Sequence, residues 1–322
     1  MFKKQRNWRR LSLVVFIVMG LFLQSVQKKH KSTIRIGIIQ FVEHDALDCA
    51  RKGFIDGLSS FKNIEIAYKN AQGDQANCTL IANLFAAGNY DLVLAIATPA
   101  AQATAAIVSE TPILVTAITN PEDAGVVKSN LKPEANVTGT SDLPPIHKQI
   151  ELAKKLVPEA KNIGILYSLG EANSRYQADI AVKEAQRLDL KPQVFTFSQM
   201  AEIQQVVESM IGKVEVIYTP TDNAVASNMP LIAKTALLGG IPVICGEGNL
   251  IEKGATGTCG MSYYELGKLT AIQAAKILEG KARPESMPIE YLSDTELTLN
   301  GKIIEKLGII IPQELAKNAK FI

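Results

Sequence analysis

The chain has 322 residues, 47% hydrophobic and 20% charged, with a net charge of +2. That length suits about two globular domains, and the composition excludes a disordered or collagenous chain. Much of the positive excess lies in the first 31 residues, so the body presents no basic face of the kind that binds nucleic acid.

Lys3, Lys4, Arg6, Arg9 and Arg10 precede the apolar run "LSLVVFIVMGLFL" at 11–23, and Lys28, Lys29 and Lys31 follow it. The run is short for a membrane span and suits the core of a signal peptide. The basic cluster ahead of it directs the rest of the chain outward. Residues 1–31 are therefore expected to be a signal peptide or an N-terminal membrane anchor. Cleavage stays open, because Ser25 is the one plausible small residue at the exit. No cysteine precedes Cys49, which excludes lipid attachment just after the run.

From residue 33 the pattern alternates. "TIRIGIIQF" (33–41) reads as a buried strand, "ALDCARKGFIDGLSSF" (46–61) as an amphipathic helix and "IEIAYKN" (64–70) as a strand. "GDQANCTLIANLFAAG" (73–88) reads as a helix with Asp74 near its start and Gly88 at its end. The strand at 92–97 runs into Thr98-Pro99 and a small-residue helix, and "PILVTAIT" (112–119) is the next strand. Such alternation predicts a parallel sheet covered on both faces.

The second half repeats the first. "NIGILYSLGEANS" (162–174) echoes "RIGIIQFVEHDAL" (35–47), "VEVIYTPTDNAVAS" (214–227) echoes "DLVLAIATPAAQAT" (91–104), and "GIPVICGEGNLIEKG" (240–254) echoes "ETPILVTAITNPEDAG" (110–125). Three echoes in one order, offset by 121 to 130 residues, predict two copies of one α/β lobe. A ligand is then expected between them, beyond the carboxyl ends of the strands.

At those ends, Thr98 stands where an N-cap hydroxyl would sit, with Pro99 in the first turn. The N–H groups of Ala101 and Gln102 are expected to face the cleft and hold an anion such as a carboxylate. Asp142, Glu171, Asp222 and Glu247 are candidate acceptors for an ammonium, although for any one of them alone a structural reading is favoured: capping or a hinge role for Asp142, and capping for Asp222. Phe41 and Tyr167 end the matching first strands and are either walls of a side-chain pocket or core residues. His44 is a candidate ligand partner or the cap of its own helix.

No phosphate-binding loop, zinc-protease motif or nucleophile elbow occurs, so catalysis is not expected. His30, His44 and His147 with Cys49, Cys78, Cys245 and Cys259 match no zinc spacing, so neither metal nor cofactor is expected. In an exported chain Cys49–Cys78 or Cys245–Cys259 could oxidise; buried thiols are the alternative.

Together "IGIIQFVEHDALD", "NAQGDQAN", "DLVLAIATPAAQA", "NVTGTSDLPP", "GILYSLGEANS" and "YTPTDNAVAS" resemble the ABC transporter substrate-binding proteins of the tryptophan/tyrosine type, over residues 33–318. The resemblance implies the type I periplasmic binding-protein fold: two Rossmann-like α/β lobes with parallel sheets, joined by a three-crossing hinge near 139–143, 259–262 and 289–293. Lobe one would comprise 32–140 and 262–290, and lobe two 141–261 and 291–322. The implied function is extracytoplasmic capture of an aromatic amino acid and its delivery to an ABC permease and its ATPase subunit. Phe41, His44, Thr98, Ala101, Gln102, Asp142, Glu171, Asn173, Ser174, Asp222 and Asn223 occupy the matching cleft positions. Departures are Asp45, where several relatives carry proline, Asn120 in place of a common aspartate, and "GEGNL" at 246–250. A sensor of the same fold, or a nucleoside or sugar receptor, is the alternative; aromatics at 6% supply few stacking rings for the latter.

Overall fold

The computed structural model describes residues 33–322; the basic and apolar segment expected to direct export lies outside the described residues. The first lobe runs β1 (Ile34–Gln40), α1 (Asp45–Gly57), β2 (Ile64–Asn70), α2 (Gln75–Ala87), β3 (Leu92–Ile96), α3 (Thr98–Ile107), β4 (Ile113–Ile118) and β5 (Val137–Ser141). The chain then crosses to the second lobe: α4 (Ile146–Leu156), β6 (Asn162–Ser168), α5 (Ala172–Arg187), β7 (Lys191–Phe197), α6 (Ile203–Met210), β8 (Val216–Thr219), α7 (Asn223–Leu238), β9 (Val243–Cys245) and β10 (Gly257–Gly260). It returns for α8 (Tyr263–Leu278) and β11 (Glu290–Tyr291), and ends in the second lobe with β12 (Glu296–Leu299), α9 (Gly301–Lys306), α10 (Gln313–Asn318) and β13 (Lys320–Phe321).

The duplication read from the sequence is the architecture. One sheet has the order β2-β1-β3-β4-β5-β11, all parallel. The other has β7-β6-β8-β9-β10 in the same winding, extended by β12 antiparallel to β10 and by β13. The seven-residue register of β1 on β2 is repeated by β6 on β7. β3 and β4 are buried along their whole length, as parallel strands with helices on both faces must be.

Sheet membership places the crossings after Ser141, Gly260 and Tyr291, so lobe one keeps one residue more at each of the limits 140 and 290. The first two crossings each deliver a helix to the opposite sheet, and the third delivers β12. α4 supplies Ile150, Leu152 and Ala153 to the second core, and α8 supplies Leu266, Ala271 and Ala274 to the first.

The α8 contact depends on two glycines. A Cβ on Gly53 of α1 would lie 2.0 Å from the Tyr264 carbonyl oxygen, and one on Gly267 would lie 2.0 Å from that of Ala50. The two backbones therefore touch, which no side chain permits.

All four cysteines are free thiols. In the β9–β10 register Gly257 faces Ile244, so Cys245 and Cys259 sit one residue out of step and point to opposite sides of the sheet. Cys245 lies in the core beneath α7, and Cys259 packs on the α4 side. Strand alternation therefore keeps this pair apart.

Candidate functional site

The carboxyl ends of β1, β3 and β4 face those of β6, β8 and β9, and the loops after β5, β6, β8 and β9 carry the buried acids Asp142, Glu171, Asp222 and Glu247. Asp142 follows β5 at the first crossing and is 4% exposed. It accepts hydrogen bonds from Thr119 at 3.2 Å and from the Tyr263 hydroxyl at 2.7 Å, so it ties the first crossing to the end of β4 and to the start of α8 past the second crossing. Glu171 precedes α5 but does not cap it. Its carboxylate accepts from the Asn223 side chain at 2.6 Å, the Asn223 and Ala224 backbone at 3.2 and 3.1 Å, and Asn173 at 3.2 Å. It therefore occupies the positive end of α7.

Asp222 caps α7 through Val225 N–H at 2.9 Å and also accepts from Ser168 N–H at 2.8 Å. Both oxygens hold the fold, as its capping reading anticipated. Glu247 follows β9, is 3% exposed, and has one oxygen, Oε2, with no hydrogen-bond partner.

Burial raises all four carboxyls above the usual range. Glu171 is pushed up to about 8 by burial and by the neighbouring Asp222. Glu247 is pushed well up by burial and then by the charges of Asp142, Glu171 and Asp222. The four therefore share one low-dielectric region.

The lobes meet directly across this region. His44 Nε2 lies 3.0 Å from Asn223 Oδ1, and Lys253 pairs with Asp45 at 2.9 Å. Gln177 of α5 donates to Thr119 at 2.7 Å and to Thr221 as well, and the two threonine hydroxyls lie 3.4 Å apart. Burial lowers the pKa of His44, favouring its neutral ring. Since Asn223 Nδ2 donates to Glu171, its Oδ1 is the acceptor, so His44 carries its proton on Nε2. His44 thus links the lobes and makes no side-chain cap on α1.

At α3 the structure corrects the expected cap. The N-cap is Ala97, with φ +80° and ψ +155°, and Thr98 is the first helical residue, with no side-chain cap in place. The Ala101 N–H bonds the Ala97 carbonyl at 3.0 Å and is therefore not available to a ligand. The Gln102 amide group donates to the Ala124 carbonyl at 3.0 Å and ties α3 to the loop after β4. The open donors of this helix end are the N–H groups of Thr98 and Ala100, because the helix starts one residue earlier than the sequence suggested.

Phe41 lines a pocket of about 290 Å³ between the lobes, with Val42 and Gly73 on its own side and Phe197, Met200 and Ala224 opposite. Glu171 and Asn223 also line it. Tyr167 does not; it packs in the second lobe's core with Ile150 and Ile163. Strand alternation sends Tyr167 to the other face, and Phe197 at the end of β7 takes the expected place opposite Phe41. Asn173 and Ser174, in the first turn of α5, are buried against Thr221, to whose carbonyl Asn173 donates at 2.9 Å. Sequence reasoning missed Gln177, Thr119, Thr221 and Tyr263, whose roles depend on contacts between distant segments.

The sequence matches the family model for ABC transporter substrate-binding proteins over residues 35–322. It is 40% identical over 301 residues to a tyrosine-binding protein of Clostridioides difficile, covering 92% of this chain and 85% of the relative. The crystal structure of an ABC domain from Streptococcus pneumoniae in complex with L-Trp is 35% identical, with a TM-score of 0.87, and the match covers 90% of this chain and 99% of that one. The ligand-free, open structure of a substrate-binding protein with adhesive properties from Clostridium difficile is 40% identical over the same shares, yet its TM-score is 0.70. The lobe arrangement here is thus nearer to the L-Trp complex than to the open form, in keeping with the direct bonds between the lobes. With the family matched over nearly all of the described residues, and with a duplicated two-lobe fold closed around a polar cleft, the chain belongs to the ABC transporter substrate-binding proteins, a family of receptors rather than enzymes.

Proposed function

We propose that this protein captures an aromatic amino acid outside the cell and presents it to the permease and ATPase subunits of an ABC importer. The N-terminal basic and apolar segment would export the chain or tether it to the outer face of the cytoplasmic membrane. One observation supports the ligand assignment most directly: Glu247 Oε2 is buried without a partner, while α3, at the carboxyl end of β3, begins with N–H groups that no side chain caps. A zwitterion complements that pair of features, its ammonium toward Asp142 and Glu247 and its carboxylate toward Thr98 and Ala100.

The apolar pocket between Phe41, Phe197 and Met200 suits a ring. The tyrosine-binding and L-Trp-bound relatives support the same class. Closure is explained by ligand contact with both lobes at once, since only the closed state offers them all.

A thermal-shift screen of the twenty amino acids, with nucleosides and sugars beside them, tests the reading on protein unfolded and refolded to strip carried-over ligand. Stabilisation by tyrosine, tryptophan or phenylalanine is expected, of about 2.7 kcal/mol at a hundredfold excess over Kd. A shift with sugars or nucleosides alone would remove the assignment.

A further inference from the structure

The two charged ends of an amino acid would be held here by unequal means. On the anion side, α3 offers backbone N–H groups and the Thr98 hydroxyl, and its N-cap, Ala97, adds nothing. Such a helix end carries a fractional charge, roughly half a unit. On the cation side stand four buried carboxyls, and Glu247 Oε2 has no partner beside Asp142, Glu171 and Asp222; an ammonium there would draw them into their ionised form and meet whole charges.

Lys253 offsets the negative charge at Glu247, but its ammonium is already paired with Asp45 at 2.9 Å. His44 faces Asn223 and Lys253, and burial favours its neutral form. Among the described residues no group of three or more acidic, histidine or cysteine side chains is placed to hold a metal ion. The unmet partner at Glu247 Oε2 is a hydrogen-bond donor, and an organic ammonium supplies both the donor and the charge that complements the acids around it. A ligand carboxylate brought into the same cleft opposes the ionisation of these acids that the ammonium favours.

We propose that the ammonium dominates recognition, so that this cleft also captures aromatic monoamines, the decarboxylated counterparts of its amino acids. This rests on the amino-acid reading for the position of the ammonium and the ring. An amine keeps the contact with Glu247 and Asp142 and the pocket between Phe41, Phe197 and Met200. It gives up the dipole contact at Thr98 and Ala100, and the repulsion that opposes it.

Isothermal titration of the full chain in mild detergent tests this near neutral pH, with L-tyrosine, L-tryptophan, tyramine, tryptamine and the corresponding deaminated aryl-propionates. The amines are expected within about tenfold of their parent amino acids, and the propionates about a hundredfold or more weaker. Glu247→Gln should weaken amines and amino acids alike by about tenfold or more. Amino acids that bind while amines are a hundredfold weaker would overturn the inference and leave the proposed function intact. Propionates that bind as well as the amino acids would also overturn it. Amines binding where no amino acid does would support it and remove the amino-acid assignment. Binding of none of these compounds would overturn both.

Discussion

His44 of the first lobe and Asn223 of the second meet at 3.0 Å, and the same asparagine side chain donates to Glu171 at 2.6 Å. A contact that holds the lobes together is thereby continuous with a buried carboxylate of the cleft. Closing the lobes and setting the charge of the site are one event.

Removing the imidazole should open this link. His44→Ala loses one buried hydrogen bond, about 1 kcal/mol, and should weaken ligand binding roughly fivefold to tenfold by titration calorimetry. Lys253→Ala breaks a half-exposed pair and should cost less, about 0.5 kcal/mol, with a difference that fades in high salt. Equal effects of the two variants would contradict this ranking.

Asp142 and Asp222 should separate binding from folding. Asp222 is committed to Val225 and Ser168, so Asp222→Ala should lower stability by about 2 kcal/mol or more in urea unfolding. Asp142→Asn keeps the shape and hydroxyl contacts but loses the charge. It should weaken amino-acid binding by about 2 kcal/mol while the urea midpoint moves little.

The raised pKa of Glu171 predicts the pH response. Its carboxyl is held at about 8 in the folded chain against 4.5 for the free group, so between these values the folded state binds more protons than the unfolded state. Stability of the ligand-free protein should therefore fall as pH rises through that window, by on the order of a few kcal/mol, or several degrees in Tm. A bound ammonium favours the ionised cleft carboxylates, so ligand should raise Tm more near pH 8 than near pH 5. Thermal scans across that range, with and without ligand, check both slopes.

Ala97 occupies backbone territory that suits glycine, at φ +80° and ψ +155°. Ala97→Gly should relieve about 1–3 kcal/mol of strain against a smaller entropic loss, giving a net gain of about 1 kcal/mol in the urea midpoint. Ala97→Val should destabilise by more than that gain. The strained position begins the helix whose N-terminus faces the cleft, so ligand affinity of the glycine variant measures what the strain contributes to positioning.

Local pattern sufficed for the elements and their duplication. Buried parallel strands show as β-branched runs, and the helices after them carry their own caps, such as Asp74 before α2, which accepts from Ala76 and Asn77. The two lobes could be read because each repeats one strand-helix order at nearly one offset. Asp222 was legible as a cap for the same reason, since its bond to Val225 spans three residues.

What tertiary structure decided is where distant segments meet. The sequence pointed to Tyr167 as a wall and to Ala101 as a donor. Strand alternation turned the first into the core, and a helix start one residue earlier consumed the second. Glu247 was one carboxylate among several until the fold buried it beside three others with an oxygen unpaired. Gln177 bridges Thr119 and Thr221 only because two lobes close on each other. Caps and periodicity act over a few residues and are written locally. Burial, shared charge and closure depend on through-space proximity across more than a hundred positions, as between His44 and Asn223, and that proximity exists only once both lobes have folded and met.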